Sequence, residues 1–271
     1  MTVRLPLLMI LALAGCAGEA VPAADGPRRI VSLDYCADQY VLKFAARRDV
    51  LALSPFAEAD FSYMREAAAG LPTVRPRAAD ILALQPDLVV RSYGGGAQMA
   101  GFLKRAGVPV VQVGYPGTIA DVRSEIARMS AALGNPEKGR TVIADMDARL
   151  TEIASRKGRS ALYMTQLGAT SGTGTLVNDI IEAAGLRNFE ARCGWHPIPL
   201  ERLAYESPDI VAAAFFDEDG DDVDSWSAAR HPVAKRQLER RAAVPISGAW
   251  TSCGGWFLMD AVERLAEAAE E

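Results

Sequence analysis

Histidine, lysine and cysteine are scarce in this chain of 271 residues. It holds 2 His and 4 Cys, and its 29 basic residues include only five lysines, Lys43, Lys104, Lys138, Lys157 and Lys235. His196 and His231 each stand beside a proline, and Ser171 lies in Gly168-Ala-Thr-Ser-Gly-Thr-Gly174. That segment is neither a Gly-x-Ser-x-Gly elbow nor a phosphate loop with its lysine, so it reads as a strand-to-helix loop. No Cys-x-x-Cys or His-x-x-x-His spacing points to a metal centre, although His196 follows Cys193 by three residues. No apolar run reaches the roughly 20 residues that span a bilayer. The net charge of −5 at pH 7 argues against a general binder of nucleic-acid phosphates. Apolar residues make up 50% and charged residues 23% of the chain, with 8 Phe, 7 Tyr and 4 Trp, which is enough to bury cores without staples. At roughly 150 residues per domain the length suits one large domain or two modest ones.

The N-terminus carries an address. Met1, the basic Arg4 and the apolar run Leu5 to Ala14 read as a signal peptide over residues 1–16. Its exit, Leu13-Ala14-Gly15-Cys16, resembles a bacterial lipobox, in which Cys16 is lipidated and becomes the first mature residue. Ordinary secretory cleavage and an incidental cysteine are the alternatives. Residues 17–27, rich in Ala, Gly and Pro, read as a tether. Export places the folded part in an oxidising, periplasmic space, with the membrane touched through a lipid anchor only, and argues against an ATP- or NAD-dependent cytosolic enzyme.

Short apolar strands alternate with amphipathic segments, which predicts α/β layers with mostly parallel strands. Strands are expected at Ile30–Leu33, Val50–Leu53, Leu88–Val90, Val108–Val113, Ala161–Met164, Ile210–Ala214 and Val244–Ile246. One phrase occurs twice: Asp80-Ile-Leu-Ala-Leu-Gln-Pro-Asp-Leu-Val-Val90 is echoed by Arg202-Leu-Ala-Tyr-Glu-Ser-Pro-Asp-Ile-Val-Ala212. Gly107-Val-Pro-Val110 is answered by Ala243-Val-Pro-Ile246 in the same order, which favours a duplicated architecture. The expected organisation is an N-terminal α/β lobe over 28–135, a connecting helix over 136–157 and a C-terminal α/β lobe over 158–271. In the helix Val142, Ile143, Met146, Leu150 and Ile153 share one face. It serves either as the rigid connector or as a helix packed on one lobe alone.

Ligands of open α/β sheets bind beyond the carboxyl ends of the strands. Those ends carry Asp34-Tyr35-Cys36, Ser54-Pro55-Phe56, Arg91-Ser92-Tyr93, Gly114-Tyr115-Pro116, Gln166 to Gly174, Phe215-Phe216-Asp217 and Trp250 to Trp256. The set is aromatic, rich in glycine and sparsely charged, which suits a bulky, partly apolar ligand gripped by stacking. Tyr35, Tyr93, Trp195, Trp250 and Trp256 are the expected contacts, with Arg91 available to an anionic chelate.

Arg29-Ile-Val-Ser-Leu-Asp34, the Ala78–Val90 phrase, Gly107-Val-Pro-Val110 and the C-terminal strand-loop-helix together resemble the ABC-importer substrate-binding proteins for cobalamin, ferric siderophores and haem. The resemblance covers about residues 28–269. It implies two α/β lobes with a ligand cleft between them, joined by one long helix with little hinge motion. It also implies a monomer that captures an iron-siderophore, haem or cobalamin and delivers it to an ABC permease with its ATPase, neither an enzyme nor a nucleic-acid binder. Such proteins dock through an exposed Glu on each lobe. Glu201 holds that place in the second lobe. In the first, Ala79 departs from the pattern and Asp80 stands beside it.

With Cys16 lipidated, Cys36, Cys193 and Cys253 remain, an odd count that leaves at least one thiol unpaired. A Cys193–Cys253 disulfide is the favoured pairing, because a bond within one lobe leaves the cleft free. The run Asp217 to Asp224, with six carboxylates in eight residues, reads as a solvated loop. An exported α/β hydrolase and a lipid-tethered structural or signalling module are the rival classes.

Overall fold

The computed structural model describes residues 28–153, 158–214, 227–240 and 242–270. Cys16, the segment 17–27 and the acidic run Asp217–Asp224 lie outside the described residues. In the first half, β1 (Ile30–Ser32), α1 (Tyr35–Phe44), β2 (Val50–Ala52), α2 (Arg65–Ala68), α3 (Ala78–Ala83), β3 (Leu88–Arg91), α4 (Met99–Arg105) and β4 (Val110–Gln112) follow one another, then α5 (Ile119–Ala132) and α6 (Pro136–Glu152). The second half runs β5 (Ser160–Thr165), β6 (Ala169–Ser171), α7 (Leu176–Ala183), β7 (Arg187–Asn188), β8 (Trp195–Pro197), α8 (Leu200–Leu203) and β9 (Ile210–Ala214). It ends with α9 (Pro232–Arg240), β10 (Ala242–Pro245), α10 (Gly248–Thr251) and α11 (Leu258–Ala268).

The strands build two parallel sheets, ordered β2-β1-β3-β4 and β7-β5-β9-β10, with β6 and β8 forming a separate antiparallel pair. The two orders are the same once β1 is matched to β5 and β3 to β9. The repeated phrase explains why. Asp87, just before β3, accepts from the Arg29 N–H through Oδ2 (3.0 Å) and donates its own N–H to the Arg29 carbonyl (2.9 Å), stapling β3 to β1. Asp209 does the same between β9 and β5: its Oδ2 takes the Ser160 N–H (2.7 Å) and its N–H goes to the Ser160 carbonyl (3.0 Å). Each Pro-Asp therefore ends a helix and sets a register, Ile30 beside Leu88 and Ala161 beside Ile210. Pro245 lies inside β10. The strand tolerates a residue without an N–H because it is an edge strand, paired only with β9.

β3, β5 and β9 are buried along their whole length, as central parallel strands covered on both faces must be. Alternate residues serve different faces. Ile30, Val90, Ala161, Tyr163, Ile210 and Val244 face one shared interior. Val31, Val89 and Leu103 build an outer cluster on the first sheet, and Leu162, Met164 and Val211 one on the second. Val142 and Met146 of α6 enter the shared interior, with Ile143, Leu150 and Ile153 packed against it. The helix is thus fastened to both halves. Toward the first, Arg123 of α5 donates from Nε to Asp147 (2.7 Å), and Gly139 lets α5 approach where a side chain would meet Ser130. Toward the second, Arg149 forks onto Glu263 (2.6 Å) and Asp260 (2.7 Å) of α11. Packing on one half alone is not what the structure shows.

The halves are also tied together directly. A disulfide joins Cys36, in the first turn of α1, to Cys253 after α10, with Cα atoms 5.6 Å apart across 217 residues of sequence. This corrects the expected Cys193–Cys253 pairing: Cys193 is an exposed free thiol on the segment leading to β8. The turns holding Cys36 and Cys253 are pressed into the same junction, within the separation that a disulfide bridges. Around it Tyr40 donates from Oη to the Gly254 carbonyl (2.8 Å) and Ser252 from Oγ to the Phe61 carbonyl (3.1 Å). Gly254 has no room for a Cβ, because the Pro116 ring fills that space.

Candidate ligand site

Apolar side chains that cannot enter a core collect where the strands end. Five of the seven large exposed apolar residues among those described stand on strand-end loops or the β6–β8 pair: Phe56, Tyr93, Tyr115, Leu167 and Trp195. The other two, Phe102 and Tyr205, lie on α4 and after α8. Exposed aromatics concentrated on one functional edge of a soluble fold mark a contact surface.

The first half contributes a ring cluster. Tyr35 packs edge-on against Phe61 (centroids 4.8 Å) and Tyr93 (5.9 Å), so the structure brings two of the expected contacts together. Burial raises both phenol pKa values, and in Tyr93 the neighbouring Tyr35 and Asp34 add to the rise. Both therefore stay neutral donors near pH 7. Arg91 corrects another expectation. It is 5% exposed, and its guanidinium donates to the Gly94 and Gly96 carbonyls (both 2.9 Å), so it shapes the loop bearing Tyr93 and is not presented to a ligand.

Asp38 fixes the neighbouring loop, accepting the Ser54 N–H (3.1 Å) and hydroxyl (2.6 Å) just before Phe56. Burial lifts its pKa from the usual 3.8 to about 6, against the lowering effect of its bonds to Ser32 and Ser54 and with a further rise from the Asp34 charge. The native protein therefore holds a proton that the unfolded chain releases. Asp38's share of stability is full below about pH 3.8 and is lost as the pH rises through about 6. Asp38→Asn has no such dependence. Its melting temperature relative to wild type is expected to improve by about 3–5 °C between pH 5 and pH 7.5. Scanning calorimetry of the pair at the two pH values checks this, and a constant difference contradicts it.

The second half contributes Trp195, 55% exposed and edge-on to Tyr163 (6.0 Å), whose hydroxyl meets Thr251 Oγ1 (3.4 Å). Trp250, beside Thr251, is half-buried against the shared interior. The two clusters are connected through one junction: Ser252 donates to the Phe61 carbonyl, and the neighbouring Thr251 meets the buried Tyr163 on which Trp195 packs. Trp256 belongs to neither cluster. It is 7% exposed, edge-on to Tyr40 and Phe44, with the Lys43 ammonium over its ring. The run Trp-Phe-Leu-Met after Gly255 goes straight into the core, which removes this expected contact. Phe56, Tyr115 and Leu167 fall on the expected strand-end loops without being among the expected contacts, and Phe61 lies outside those loops. Only the alternation of a strand-end position with an apolar side chain signals them.

Cys193 and His196 stay near each other, the His196 ring nitrogen bonding to the Cys193 carbonyl (2.8 Å). Glu201, exposed at the start of α8, borders a groove of about 540 Å³ with Arg192, Ile198 and Arg202. Asp80 in α3 is half-buried and faces Arg75 (3.4 Å).

The whole fold is similar to several solved structures. A periplasmic haem-binding protein from Pseudomonas aeruginosa is 21% identical over 89% of this chain and 92% of that one, with a TM-score of 0.68. Haem-binding RhuT from Roseiflexus sp. RS-1 is 22% identical over 90% and 100%, with a TM-score of 0.70. The vitamin B12-binding BtuF of Vibrio cholerae is 16% identical over 90% and 97%, with a TM-score of 0.64. At these identities the likeness is one of fold. No curated protein sequence matches the chain. The family model described as periplasmic binding protein matches residues 30–224, well over half of the chain. The chain belongs to the periplasmic binding protein family.

Proposed function

We propose that this protein is the exported solute-binding component of an ABC importer, and that it captures a bulky, half-apolar iron-siderophore, haem or cobalamin for delivery to the permease. The observation that carries the reading is that strand-end aromatics of both halves, Tyr35 and Tyr93 in the first and Trp195 in the second, stand on elements joined at the Ser252–Phe61 junction. Each 100 Å² of apolar ring face covered by a ligand gains about 2.5 kcal/mol before the costs of association are met. Two phenol hydroxyls give orientation without bringing charge. The disulfide and the shared interior keep the halves at fixed spacing, so binding needs little rearrangement, and the transporter's ATPase supplies the energy of release. Neighbours of the same fold are named for haem and vitamin B12, which supports this range of ligands.

The reading places the protein in the periplasm as a monomer held by a lipid on Cys16. Glu201, exposed beside its groove, is the docking residue of the second lobe, and Asp80 is its counterpart once Arg75 is displaced. A thermal-shift panel with cyanocobalamin, haemin and ferrioxamine B tests the function. At least one is expected to raise the melting temperature and quench tryptophan fluorescence. Trp195→Ala is expected to weaken that ligand at least tenfold, as loss of a central aromatic contact does. No shift from any bulky chelate or corrinoid contradicts the function, and an unchanged affinity in Trp195→Ala removes Trp195 from the site.

A further inference from the structure

We infer that Asp34 is the positioning residue of the site, the single side chain that sets both tyrosines of the first half's ring cluster. The inference rests on the proposed function above. Asp34 follows β1, is 2% exposed, and divides its carboxylate between two elements. Oδ1 accepts the Ala37 N–H (3.0 Å) and caps α1, which begins with Tyr35. Oδ2 accepts three consecutive N–H groups of the loop after β3: Ser92 (2.7 Å), Tyr93 (3.0 Å) and Gly94 (2.8 Å). Three successive amides converging on one oxygen form a concavity of the kind that elsewhere receives a ligand's anion. Here the protein's own carboxylate fills it, so the loop offers a ligand its tyrosine ring and not its amides.

The same loop is closed from the other side. Arg91 holds the Gly94 and Gly96 carbonyls, and a Cβ on Gly94 would stand 2.3 Å from the Leu33 carbonyl oxygen. The segment carrying Tyr93 is thereby fixed at its N–H groups by Asp34 and at its carbonyls by Arg91. Because Tyr35 is the residue after Asp34, the spacing of the two rings depends on one carboxylate. A charged acceptor bonded to several amides is the strong form of such an anchor.

Asp34→Asn separates the two duties. Its side-chain oxygen still caps α1, as asparagine does well. Its NH2 group cannot accept the three loop amides. In binding titrations with cyanocobalamin, haemin and ferrioxamine B, the variant is expected to lose at least tenfold in affinity for whichever probe binds wild type. In a Tyr93→Ala background the same substitution is expected to cost less than twofold, since the loop then carries no ring and the asparagine still caps the helix that bears Tyr35. Equal losses in both backgrounds, or no loss in either, overturn the inference. If Asp34→Asn does not fold, Arg91→Lys disturbs the same loop from its carbonyl side and is expected to show the same coupling to Tyr93. If none of the probes binds wild type, the proposed function fails instead. Hydrogen exchange then decides the positioning role: amides 92–94 are expected to lose protection in Asp34→Asn while those of β1 and β5 keep theirs, and unchanged protection overturns it.

Discussion

Breaking the Cys36–Cys253 disulfide is expected to lower the unfolding free energy by about 3–5 kcal/mol. The bond closes a loop across 217 residues, so its loss returns a large conformational freedom to the unfolded chain, on the order of 5 kcal/mol in the chain-entropy account. It also frees α1 from the turn after α10, leaving the Tyr40–Gly254 and Ser252–Phe61 hydrogen bonds to hold the junction. Urea unfolding of wild type with and without a reductant, and of Cys36→Ser, measures the effect. Cys193→Ser is the control and is expected to change stability by less than about 0.5 kcal/mol, because its thiol is exposed and free. Mass mapping without reductant is expected to find Cys36 linked to Cys253 and Cys193 open to alkylation. Reduction without loss of stability contradicts the account of the junction.

Trp256→Ala is expected to cost about 3–5 kcal/mol of stability and to leave ligand affinity within about twofold. The indole fills the space between α1 and the start of α11, edge-on to Tyr40, Phe44, Tyr63 and Phe257. The loss includes those ring contacts, about 0.5–1.5 kcal/mol for a pair, and the Lys43 ammonium over the ring. Denaturation together with a binding titration at low temperature separates the two readouts. A stable variant with weakened ligand binding contradicts the placement of Trp256 in the core.

The contrast between Trp195 and Trp256 shows what the sequence could and could not tell. The doubled phrase around Asp87 and Asp209 marked two halves because each Asp does a local job, joining the starts of adjacent strands, and local jobs leave local patterns. The face of α6 was legible for the same reason, since Val142 and Met146 follow the helical period. The strand ends were legible as positions. Which way their side chains turn was not. Arg91 ends β3 just as a cleft cation would, and only the return of the Gly94 and Gly96 carbonyls reveals its internal use. The disulfide was out of reach because its partners, 217 residues apart, meet only after both halves have packed. Nor does any pattern in Asp34 show that three amides some 60 residues later will converge on its carboxylate.

The central claim is that residues from both halves hold one small molecule between them. Isothermal titration of the double variant Tyr93→Ala, Trp195→Ala against the ligand found by thermal shift tests it most directly. Wild type is expected to bind with one-to-one stoichiometry. The double variant is expected to lose at least a hundredfold in affinity while unfolding at the wild-type temperature within a few degrees. Undiminished one-to-one binding by the double variant would place the ligand elsewhere and contradict the account.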